Sequence, residues 1–64
     1  MPSNVEIRTS QKIALFDLLV LRRELEKANE GINLKALDKM IVRSKASMEA
    51  EDVAYVEKMI EEME

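Results

Sequence analysis

The chain has no cysteine and no histidine. The first absence excludes a disulfide staple and a thiolate metal site. The second removes the commonest metal ligand and general base. One glycine cannot build a phosphate-cradling loop. There is one Pro, no Trp, one Phe and one Tyr. So few turn-formers and aromatics, beside 36% charged residues, point to an all-α protein. No catalytic constellation is visible: the familiar nucleophile–base pairs need His or Cys. The serines sit in the first residues or at cap positions, where backbone bonding explains them. The expectation is a protein that is not an enzyme and takes no cofactor or metal. Glu57 and Glu61 lie one turn apart, but they read as part of a solvated face.

What is present is a run of apolar residues at Ile13–Leu25, IALFDLLVLRREL. At about 100° per residue, Ala14, Leu18, Leu21, Leu25 and Ala28 form a narrow stripe of the kind that packs on another helix. A second apolar set lies on other faces: Ile13, Phe16 and Val20 on one side, Leu15 and Leu19 on another. Asp17 is the one polar residue inside the first half of this helix. It reads as an edge position facing water near Glu24; the alternative is a specificity group within an interface. The apolar stretch is far shorter than the ~20 residues of a membrane-spanning helix. Met1–Ser10 lacks the apolar core of a signal peptide. The expected location is the cytoplasm.

A 64-residue chain is a single domain with little core, and oligomerisation is the usual remaining staple. Too few other elements exist to cover both sides of the first helix. The stripe through Leu18 and Leu25 is assigned to the chain's own helices. The association face is then Leu15, Phe16, Leu19 and Val20.

In chain order, residues 1–9 read as a flexible arm, because the Val5/Ile7 alternation is too short for a strand. Residues 10–64 are the helical domain. The first helix is expected from Ser10 to about residue 29. Gly31 is then a left-handed C-terminal cap. Asn33 caps a second helix, with Ile32 and Leu37 as a hydrophobic staple. That helix carries Leu34, Leu37, Met40, Ile41 and Ser44 on one face. Lys35, Lys39 and Arg43 run down the other. Residues 44–47 contain neither Gly nor Pro. Either Ser47 caps a third helix over about 48–63, or one bent helix spans about 34–63. Met40, Met48, Met59 and Met63 read as core filler; an adaptable binding groove is the other reading.

Charge is uneven along the chain. Residues 1–47 hold nine Lys/Arg and six Asp/Glu, and residues 48–64 hold one Lys and seven acids. The acidic end opposes attraction of the whole chain to nucleic acid, but not of one basic face. A short helix after a tight turn with Lys35, Lys39 and Arg43 outward loosely resembles a helix-turn-helix. No motif names a family. The sequence therefore points to a small helical-bundle module that self-associates through its first helix and meets other proteins. The alternative is a dimeric DNA-binding regulator using the basic face.

Overall fold

The computed structural model describes residues 4–29 and 31–63. Three helices follow one another: α1 Asn4–Lys27, α2 Gly31–Ala46 and α3 Ala50–Glu62. The protein is all-α, and among the described residues no helix is long and apolar enough to cross a membrane. Twenty-four helical residues at about 1.5 Å each give α1 a length near 36 Å. That matches the longest dimension of the molecule, 39 Å, so α1 is its spine.

Helix α1 begins at Asn4, not at the expected Ser10. Residues 1–3 of the expected arm lie outside the described residues; residues 4–9 are the first turns of the helix. Extending a helix that already exists requires no new nucleus. Glu6 in the first turn suits the positive end of the helix dipole. About one turn in, Arg8 ties this end to α3.

The α1–α2 turn falls where expected but is built differently. Asn29, not Gly31, takes the left-handed conformation, at φ 61°. Asn tolerates that region better than most residues because its short polar side chain bonds locally. Ala28 donates to the carbonyl of Glu24 at 3.0 Å, and Asn29 to that of Glu26 at 3.1 Å, which closes the helix end. Gly31 is thus released from the cap and opens α2. Asn33 lies inside the first turn of that helix rather than before it. Ile32 is 88% exposed, so the expected staple to Leu37 does not form.

The second break is real in this structure. Ser47 and Met48 donate their amides to the carbonyls of Ser44 and Lys45, at 3.2 and 3.1 Å. The Ser47 hydroxyl also donates to the Ser44 carbonyl, at 2.9 Å, so it finishes α2 rather than capping α3. Glu49 holds the cap position of α3 in an extended conformation, φ −68° and ψ 142°, without a side-chain cap bond.

Both shorter helices pack on α1 and make little contact with each other. Arg22 Nε donates to Asp38 at 2.6 Å and Gln11 Nε2 to the Ser47 carbonyl at 3.2 Å, so α2 runs antiparallel to α1. Arg8 binds the start of α3, and Arg23 Nη1 donates to the Ile60 carbonyl near its end at 3.1 Å. Helix α3 therefore runs parallel to α1. The fully enclosed core is small: Leu15, Leu37, Ile41 and Val56. Phe16, Leu18, Leu19, Leu25, Met48 and Val53 pack around it.

Candidate association surface

The structure divides each of the two apolar sets of α1 between core and surface. Leu15, placed by its spacing on the association face, is 0% exposed at the centre of the chain's own core. Leu19, one turn on, is half-buried against the same core. Of the stripe assigned inward, Leu18 and Leu25 are half-buried against the core, while Ala14 and Leu21 are exposed. The physical reason lies in the spread of apolar residues. Helix α1 is apolar nearly all round over residues 13–21. Where α2 and α3 dock decides which side is enclosed, and periodicity within α1 carries no record of that.

Phe16 and Val20, the other two expected contacts, line the seam between α1 and α3. A cavity of about 280 Å³ opens there among Lys12, Ile13, Phe16, Tyr55, Val56 and Met59, with Thr9 at its rim. A second, of about 110 Å³, lies among Val20, Arg23, Glu24, Lys27 and Met63. Phe16 and Val20 are one turn apart, as are Met59 and Met63, so the two hollows follow one another along the α1–α3 seam. Ile13, Tyr55, Met59 and Met63 are all exposed along it. Lys12 Nζ sits 5.3 Å from the centre of the Tyr55 ring, a cation–π arrangement at the seam's edge. Among the described methionines, Met48 packs against the core, and Met40, Met59 and Met63 are exposed. Asp17 is exposed as well.

The molecule is more extended than its mass requires. A compact monomer of 7.4 kDa exposes about 4,200 Å², against 5005 Å² here. The radius of gyration is 12.4 Å, where about 10.7 Å is usual for 64 residues.

Sequence reasoning assigned Asp52 no role, yet it is 4% exposed. Arg8 meets it with two bonds, Nε to Oδ2 and Nη2 to Oδ1, each 2.8 Å. Nη2 also donates to Glu51 at 2.7 Å. These bonds hold the Asp52 carboxyl below its ordinary range; burial opposes them, and the charges of Arg8 and Lys12 help. The signal available in the sequence was that Asp52 stands one turn before Val56, on the core side of α3.

Lys35, Lys39 and Arg43 are exposed on the outer side of α2. They are not a purely basic surface. Val42 is exposed beside Lys39 and Arg43, and a shallow hollow there also includes Asp38 and Ala46.

No family model, curated protein or solved structure matches this chain.

Proposed function

We propose that the chain is a non-enzymatic helical interaction module of the cytoplasm that self-associates, with α1 at the contact. The observation that carries this reading is the open apolar seam between α1 and α3. Ile13, Tyr55, Met59 and Met63 stand exposed along it, next to the partly buried Phe16 and Val20. The surplus accessible surface supports it, because a chain this small gains most of its missing burial from a partner. A second copy is the simplest occupant, since a two-fold contact needs one self-complementary patch.

The test is a double change at exposed seam positions, Ile13→Glu with Met59→Glu. Both side chains are accessible in the monomer, so helix content by circular dichroism should survive. Each buried apolar side chain is worth about 1.5–3 kcal/mol. The variant should therefore associate at least about 100-fold more weakly by sedimentation. Unchanged association would sink the seam as the contact.

The exposed basic stripe of α2 supports a second reading, a duplex nucleic acid bound at Lys35, Lys39 and Arg43. Phosphate contacts would each add about one unit to the salt slope of binding. Changing all three to Gln would then abolish salt-sensitive retention on DNA. The first reading expects no such retention in the wild type. It also expects the triple variant to keep its stability within about 1 kcal/mol, since exposed charges contribute little.

A further inference from the structure

We propose that α2 and α3 also exist as one straight helix over 31–62, which carries α3 onto α1 of a second copy. This rests on the reading that the chain self-associates, and it names how the second copy is engaged. Three observations point the same way.

First, α3 is held almost wholly by α1. Its polar anchors are Asp52 on Arg8 and the Ile60 carbonyl on Arg23, and its buried apolar residue Val56 joins the core around Leu15. Contact with α2 is slight; the Lys45–Glu57 ion pair, at 3.8 Å, is its polar link. An α1 from another copy offers the same anchors, so transfer of α3 loses little.

Second, the connector Ser47-Met48-Glu49 contains neither Gly nor Pro, and α3 starts without a side-chain cap. No residue there forbids helix as Gly or Pro would, and straightening them adds backbone bonds that the bend forgoes.

Third, the phase fits. Continued at about 100° per residue, the Leu37/Ile41 side of α2 runs on through Met48, Tyr55, Met59 and Met63, all within about 80° of Leu37. Tyr55, Met59 and Met63 are the apolar residues that the bent form leaves exposed on α3. In the straight helix Tyr55 and Met59, with Met63 just past its end, continue one apolar side about 48 Å long, fit to lie across two α1 helices.

Ala50→Pro tests this. Ala50 is the first residue of α3, where a proline's missing N–H and fixed φ suit the helix start. Glu49 before it is already extended, as a residue before proline must be. The bent form therefore accepts the change. The straight helix does not, because proline at its middle deletes a backbone bond and collides with the preceding turn. We expect a dimeric wild type, and an Ala50→Pro chain that stays folded with the three helices of the bent form and associates at least tenfold more weakly. If Ala50→Pro pairs as tightly as the wild type, the exchange is wrong while seam association stands. A wild type that stays monomeric overturns both.

A second measurement needs no variant. Chains of two isotopic labels are mixed, unfolded and refolded together, then treated with a zero-length carbodiimide cross-linker. Exchange of α3 puts Lys45 of one copy against Glu57 of the other, giving Lys45–Glu57 cross-links of mixed isotope within the dimer. Cross-links of a single isotope alone would overturn the proposal.

Discussion

Leu15→Ala should remove most of the folded population near room temperature. Leu15 is fully enclosed and stands at the centre of a core whose other enclosed members are Leu37, Ile41 and Val56. Truncating such a leucine costs about 2–5 kcal/mol, because transfer and cavity terms add. A single core of this size seldom supplies more than about 3–5 kcal/mol in all. The matched control is Leu21→Ala on the same helix, a residue 48% exposed. It should move the urea midpoint little. The order of these two effects is the opposite of what the Ala14/Leu18/Leu21/Leu25 stripe implies. Parallel urea titrations followed by circular dichroism measure it directly. Equal midpoints for the two variants would mean that α1 is rotated relative to the arrangement described above. Where the fold depends on association, both titrations belong at one fixed protein concentration.

The second large effect concerns Asp52. Its folded-state pKa lies below the ordinary value, chiefly through the hydrogen bonds from Arg8. A group depressed in this way stabilises the fold above its unfolded pKa, near 3.9. That contribution is lost as pH falls through the folded value. The wild type should therefore lose stability progressively below about pH 4. Asp52→Asn should lower the melting temperature by several degrees at pH 7 and flatten the acid limb of the profile. Arg8→Met should do more harm at pH 7, because it leaves a buried carboxylate without its cation. Thermal melts from pH 2 to 7 on the three proteins check the set. Identical acid limbs for the wild type and Asp52→Asn would show that the Arg8 clamp does not form in solution.

Much of the architecture was legible in the residues. The scarcity of Gly, Pro and aromatic residues gave the all-α class. The break near residues 29–31 was legible; the one at 44–47 was one of two readings, beside a single bent helix over about 34–63, and the structure has it. Their details were not legible, for local reasons. Asn29 and Gly31 both tolerate the left-handed conformation, and the chain needs one such residue; composition favoured Gly, and Asn took the place. The helical start at Asn4 depends in part on Arg8 meeting Asp52, 44 residues away. No short-range pattern records that contact. Leu15 and Leu18 are equally plausible core residues from periodicity, because residues 13–21 of α1 are apolar on nearly every side. The seam between α1 and α3 was partly visible: Ile13, Phe16 and Val20 share a face by spacing alone. Their facing partners Tyr55, Met59 and Met63 were not, since that pairing needs α3 parallel to α1.

Self-association is most directly tested by the solution mass of the wild type, by sedimentation equilibrium across a wide concentration range. The open seam predicts a mass that rises from 7.4 kDa to a whole multiple of it, with Ile13→Glu/Met59→Glu remaining at 7.4 kDa. A wild type that holds 7.4 kDa at every concentration up to the millimolar range would contradict it.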